Sequence, residues 1–436
     1  MKLKPSRFFP AALVAVILTL AAGAWAVDTQ STIYTFESRT DGASPMSGVI
    51  ADGAGNLYGT TTAGGGACTA ITKKGCGTVF ELSPASGGTW TETILHAFTG
   101  GTSDGYSPQG LVFDASGNLY GITGAGGTGT VCIGGAGCGV IYELSPSSGG
   151  TWTETILYNF TGGTDGNEPW GSLVIDASGN LYGVTRAGGA NLDGNIFELS
   201  PGSSGWTFTT LHSFATTGGY EPDSGVTLDA AGNLYGTTLR GGDETGTWGC
   251  SAGCGVVYRL GNSSTGWRYS QIYVFHGPGG YEPVSGVALD SAGNLYGTTF
   301  AGGTPTCCGF GVVFKLTPTT AGEWTETLLH AFQNGTDGEN PTATPTLDSA
   351  GHVFGTSGGL SENSPGAAYR LTPASGGGWQ FQVLTALSAG SAYLTTAPLL
   401  RDSTGHMYST AYGGGSTNCN GGCGSVYELS PVAGAK

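Results

Sequence analysis

Ten cysteines are the residues of this 436-residue chain whose spacing implies chemistry most directly. They form five couples close in sequence: Cys68 with Cys76, Cys132 with Cys138, Cys250 with Cys254, Cys307 with Cys308, and Cys419 with Cys423. An even count of locally coupled thiols behind an export signal reads as small disulfide-closed loops. Zinc is the competing chemistry, but it would need ligands gathered from separate couples, and no histidine sits beside any of them. Cys307 and Cys308 form the doubtful couple, because adjacent cysteines bridge only through a strained ring.

Carboxylates and histidines come next. Asp52, Asp114, Asp176, Asp229, Asp290, Asp348 and Asp402 each open a short DxxG motif. One per motif and far apart, they are not available as an acid–base pair, whereas capping of the local backbone accounts for all of them. His96, His212 and His330 share one repeat position and read as packing. His352 and His406 replace the asparagine that elsewhere follows DxxG. With Arg401 they are the polar departures an enzyme would show, set against simple turn substitution.

Another group suits a ligand. Tyr106, Trp170, Tyr220 and Tyr281 lie beside prolines, together with Glu168, Glu221 and Glu282. Aromatic rings stack on the apolar faces of sugars while carboxylates accept hydroxyl protons. The alternative is that these rings pack against their own loops. There is no nucleophile elbow, phosphate loop, EF-hand or HExxH, so no cofactor and no metal is expected.

The elements that must position these residues come from a repeat. DASGNLYG stands at both 114–121 and 176–183, and near copies bring the number of units to seven. Their tyrosine, or its substitute, falls at Tyr58, Tyr120, Tyr182, Tyr235, Tyr296, Phe354 and Tyr408, a mean spacing of about 58 residues. Each unit reads as four short strands, A to D. In the second these are 110–114, 118–123, 139–145 and 152–160, rich in β-branched and aromatic residues and bounded by Gly, Pro, Asp or Ser. Seven such units predict an all-β fold, a seven-bladed β-propeller of four-stranded antiparallel blades. The recurrent tryptophans that open strand D (Trp90, Trp152, Trp206, Trp267, Trp324 and Trp379) read as packing.

The ends support a ring over an open stack. The last unit supplies three strands and stops, while Ser31–Phe36, ahead of the first unit, has the pattern of a fourth. Pairing it with Ser425–Ser430 would close the circle and remove two exposed sheet edges. The D-to-A and B-to-C loops, which hold the aromatics and the cysteines, then share one face.

The unit, A-x-x-G-N-L-Y-G-T-T, then G-x-V-F-E-L-S-P, W-T-E-T-I-L-H-A-F and T-D-G-x-x-P, resembles the Gloeo/Verruco repeat of bacterial choice-of-anchor tandem repeat proteins. Its DxxGNLY element is also similar to NHL-type propeller repeats. The resemblance implies an exported or surface-associated protein and supplies no catalytic residues.

Residues 1–26 have the basic start, apolar middle and Ala24-Trp25-Ala26 end of a signal peptide, leaving 27–436 as one domain. Cleavage removes three of the 14 Lys and Arg but none of the 30 Asp and Glu, for a net charge near −19. Such a field repels nucleic acid. The expectation is a secreted monomer without a membrane span, acting non-catalytically on an extracellular glycan or surface protein. The alternatives are a polysaccharide-directed hydrolase or lyase with its site at the channel mouth, and a structural envelope component.

Overall fold

Each unit folds around its aspartate. Asp52 Oδ1 accepts the backbone N–H of Ala54 at 2.8 Å and of Asn56 at 2.9 Å, and Oδ2 accepts Asn56 Nδ2 at 2.8 Å and the Tyr58 hydroxyl at 3.1 Å. The same four bonds recur at Asp114, Asp176, Asp229 and Asp290. Burial pushes these carboxyls up, but the hydrogen bonds outweigh it and hold them below the usual aspartate value. One side chain thus caps the turn and, through the tyrosine, fastens it to the next strand.

The computed structural model describes residues 28–38, 40–68, 75–132, 136–242, 250–304, 309–358, 366–387 and 395–431. Residues 1–26, read from sequence as a signal peptide, and the Cys307–Cys308 couple lie outside them. Seven four-stranded antiparallel sheets form a ring. Blade one runs Ile50–Ala51, Leu57–Thr61, Thr78–Pro84 and Trp90–Ala97. Blade seven takes three strands from the C-terminal end, Leu400–Arg401, Met407–Ala411 and Ser425–Ser430, and its fourth, Thr29–Thr35, from the N-terminal end. Register runs from Thr29 opposite Ser430 to Thr35 opposite Ser425, so the expected closure is present. Phe36 follows that strand fully buried, its N–H on Gly424 O at 3.1 Å.

The blades are joined by two recurring contacts. Strand-D tryptophans pack edge-on against the NLY tyrosine of the preceding blade, as Trp152 does on Tyr58 and Trp267 on Tyr182 at 6.4 and 5.9 Å between ring centres. A strand-B threonine donates to a carbonyl in or just ahead of strand A of the next blade: Thr60 to Gln109 at 2.9 Å, Thr237 to Ser285 at 2.7 Å, Thr356 to Thr395 at 3.3 Å. Thr410 to Ser47, at 2.9 Å, carries this lock across the closure. Within blades one to six the ring of strand C crosses under a strand-B glycine, a position held by Ser409 in blade seven. A Cβ on Gly59, Gly183 or Gly297 would fall inside 3 Å of the Phe80, Phe197 or Phe314 ring, so only glycine permits the packing.

Four of the cysteine couples lie at disulfide distance, with Cα separations of 5.2, 5.3, 5.1 and 5.0 Å for Cys68–Cys76, Cys132–Cys138, Cys250–Cys254 and Cys419–Cys423. Strand A departs from expectation. It is two residues long in most blades but runs over Gly105–Phe113 and Asn167–Ile175 in blades two and three. Tyr106, Glu168 and Trp170 therefore lie within a strand, not a loop, because Gly105 to Pro108 and Asn167 to Trp170 keep pairing with an extended strand B.

Candidate ligand-binding site

The D-to-A turns are built on a left-handed residue. Ser44, Ser107, Glu168, Glu221, Glu282 and Asn340 occupy one repeat position, each before a proline, with φ between 47° and 59°. This conformation costs a side-chain-bearing residue about 1 kcal/mol. It turns the residue's N–H onto the preceding blade: Ser107 to Cys76 O, Glu168 to Cys138 O and Glu282 to Cys254 O, at 3.0, 3.3 and 3.0 Å. In these three seams the acceptor is the second cysteine of a couple, so each cross-linked loop presents a carbonyl that clips its neighbour. The glutamates at this position thus serve the ring through their backbone.

What distinguishes one sector is the set of side chains around it. Trp170, in blade three, follows its proline, and the guanidinium of Arg186 lies 5.7 Å from the centre of its ring. Arg186 Nε stands 3.0 Å from Asp223 Oδ1 of blade four. The contact is an ion pair by distance, although Oδ1 makes no aligned hydrogen bond. Beside it Arg240 Nε donates to Glu221 Oε2 at 2.9 Å. Burial pushes the Asp223 carboxyl up, Arg186 and Arg240 pull it back, and Glu221 and Glu168 push it up again; the net shift is upward. Both arginines are a third or more exposed, at 35% and 40%, against 16% for Asp223.

Trp170, Glu168 and Glu221 are therefore brought into one electrostatic cluster over blades three and four. Tyr220 adjoins it through backbone bonds with Arg240. Tyr106 and Tyr281 are not part of it; they lie partly buried against the hydrophobic clusters of their own sectors, and Glu282 stays in the blade-five turn. Arg186, Asp223 and Arg240 were not anticipated from sequence. A signal for Asp223 existed, since it occupies in blade four the repeat position that Trp170 holds in blade three.

The polar departures of blades six and seven are engaged locally. His352 Nδ1 meets Asp348 Oδ2 at 2.8 Å, taking the place of the asparagine amide. His406 Nδ1 bonds Glu428, and the Arg401 guanidinium covers the Phe354 ring at 5.5 Å. The hollows nearby are shallow and elsewhere. One of about 670 Å³ opens among the turns of blades four and five on the opposite face, beside Arg259 and Trp324. One of about 510 Å³ lies at the closure, between Ser44 and Tyr412. Neither contains the arginine–carboxylate cluster.

An indole face with two guanidiniums and three carboxylates around it can stack on the apolar face of a pyranose while exchanging hydrogen bonds with its hydroxyls. It holds no nucleophile beside a base. Comparison with known proteins adds the following. No curated protein matches the chain. Among solved structures it is similar to a putative oxidoreductase (glucose dehydrogenase) of Thermus thermophilus, at 16% identity and a TM-score of 0.44 over 74% of this chain and 96% of that one. The repeat pattern recorded for Gloeobacter and Verrucomicrobia matches residues 18–248 and 245–435. The chain thus belongs to the Gloeobacter/Verrucomicrobia repeat family.

Proposed function

We propose that this protein is an exported, non-catalytic binding module that takes an extracellular glycan over blades three and four. The observation that carries the reading is the Trp170–Arg186–Asp223 chain with Arg240–Glu221 beside it: an asymmetric, partly exposed polar cluster on an otherwise repetitive ring. The couples at disulfide distance support export, since such bonds persist in oxidising compartments. Among the described residues no helix is long and apolar enough to cross a membrane.

The test is a glycan array followed by calorimetric titration of the best saccharide. Stacking on one aromatic is worth about 0.5–1.5 kcal/mol beyond its area, so Trp170→Ala should weaken binding roughly tenfold or more, and Arg186→Ala comparably. Tyr281→Phe, in blade five, should leave it unchanged. A saccharide bound equally by wild type and Trp170→Ala overturns the placement, and absence of any glycan binding, or conversion of the bound sugar, overturns the function.

A further inference from the structure

In blades one to six, the side chain two residues beyond the strand-D tryptophan faces one near the end of the preceding blade's D strand. These contacts follow two rules. Where glutamate faces tyrosine they hydrogen-bond: Tyr34 to Glu92 at 2.7 Å and Tyr273 to Glu326 at 2.6 Å. Where two rings face they stack, with centres 4.3, 4.0 and 3.7 Å apart for Tyr158–Phe208, His212–Tyr269 and His330–Phe381.

Between blades one and two the pair is His96 and Glu154, and it obeys neither rule. His96 Nε2 stands 3.5 Å from Glu154 Oε2 and 3.5 Å from Asp104 Oδ1. That nitrogen is shielded from solvent and makes no hydrogen bond, and Glu154 Oε1 is equally buried and unpartnered. The aspartate alone does not explain the spacing. In blade five, where the facing residue is Phe381, the equivalent His330 closes on the equivalent Asp337 to 3.0 Å. Placing a carboxylate opposite the histidine draws the imidazole off to an equal distance from two acids.

A charge-assisted N–H···O bond measures about 2.7–2.9 Å, so 3.5 Å is too long for either acid to be the partner. It is close to the edge of a tetrahedron around zinc, about 3.4 Å for ligand bonds of about 2.0–2.1 Å. We propose that His96, Asp104 and Glu154 form a site for one divalent transition metal of the zinc class, with solvent as a further ligand.

The three donor atoms lie within 4.8 Å of one another. An imidazole with two carboxylates favours zinc, copper or nickel over calcium. The supporting contacts are those of a held ligand set. Asp104 Oδ2 accepts Thr99 N at 2.6 Å and Thr99 Oγ1 at 2.9 Å, Oδ1 accepts Gly105 N at 2.6 Å, and the imidazole abuts Phe98 edge-on at 4.6 Å. The His96 side chain keeps 21% of its surface exposed, so the site lies just beneath the protein surface.

The ring supplies its own control substitutions. Glu154→Phe installs the side chain that Phe208 and Phe381 have at this position, and His96→Tyr the one that Tyr34, Tyr158 and Tyr273 have. The untagged mature protein, stripped with EDTA, would be dialysed against zinc chloride and its metal measured by mass spectrometry, with cobalt(II) absorption as a second readout. Wild type should retain one equivalent of zinc. Each variant should lose it with its far-ultraviolet circular dichroism unchanged, and if one variant does not fold the other carries the test. A wild type that retains no zinc, or an equivalent that persists in a folded variant, overturns the site.

Discussion

Strand C presents the same ring seven times: Phe80, Tyr142, Phe197, Tyr258, Phe314, Tyr369 and Tyr427, all fully buried. Four carry a hydroxyl, and in all four that oxygen is enclosed without a hydrogen-bond partner. For Tyr142, Tyr258 and Tyr369 its position explains why: the ring tip lies over the strand-B glycine, Gly121, Gly236 and Gly355, where no side chain of that strand reaches, whereas Tyr427 faces Ser409. A hydroxyl desolvated without a bond costs about 1–3 kcal/mol. Removing it leaves a gap below the size of a water molecule, at roughly 24 cal/mol per Å³ a loss of about 0.5 kcal/mol. Tyr258→Phe should therefore stabilise the protein by about 1 kcal/mol. Tyr369→Phe should do the same, and sites in different blades should add to about 2 kcal/mol. With an unfolding entropy of roughly 2.1 cal/mol/K per residue over about 400 residues, the double variant should melt about 2–3 °C higher. Scanning calorimetry at neutral pH measures this. An unchanged or lower Tm would refute the reasoning by showing that the hydroxyls have a partner, such as an ordered water, worth as much as their burial costs.

Two further outcomes follow from the closure. Burial pushes Glu92 up to about 7, with the Tyr34 hydroxyl pulling it back and Asp41 raising it, so the folded protein keeps this proton across a window starting near 4.5 in which the unfolded chain has lost it. Stability from this group is complete below about 4.5 and fades as pH rises to about 7. The hairpin aspartates, held below 3.8, stay ionised through that window. Tm should be higher at pH 5 than at pH 8, and Glu92→Gln should shrink the difference by raising the pH 8 value; an unaltered profile would count against the assignment. Deleting residues through Phe36 exposes the edge of Ser425–Ser430 and removes the buried Phe36 ring, worth about 2–3 kcal/mol in transfer alone. Light scattering should then show oligomers, and Tm should fall by several degrees.

Much of the fold was legible because the repeat states it seven times. DxxGN announces a capped turn, the missing strand of the last unit announces closure, and the cysteine couples fall in matching loops. What stayed hidden joins residues far apart in sequence. The bond from Tyr58 to Asp52 spans six residues and is legible once the turn is drawn. The pairing of Arg186 with Asp223 depends on how two blades face each other, and no local pattern encodes it. Grouping Trp170 with Tyr106, Tyr220 and Tyr281 followed residue type and ignored repeat position: the tyrosines precede the proline by two, whereas Trp170 follows it. The left-handed glutamates have a backbone role that residue type does not reveal, since their recurrence also reflects the clip made by their N–H groups.

The blade-three to blade-four seam shows why chemistry would gather there. A strand-B threonine locks blades one, four, five, six and seven to the next, but in blades two and three that position is Ile122 and Val184, both fully buried and unable to donate. Two residues further along strand B of blade three stands Arg186, and its partner Asp223 lies ahead of strand A (Thr227–Leu228) in blade four. Blade two, with Gly124 at the place of Arg186, has neither this lock nor this ion pair, whereas the blade-three seam carries an ion pair near the surface. A threonine lock is closed to solvent and can bind nothing; a partly exposed guanidinium–carboxylate pair beside an indole holds the same seam and presents donors and acceptors outward. In a ring of near-identical blades, the blade-three to blade-four seam thus presents an outward-facing polar pair without costing the circle its closure.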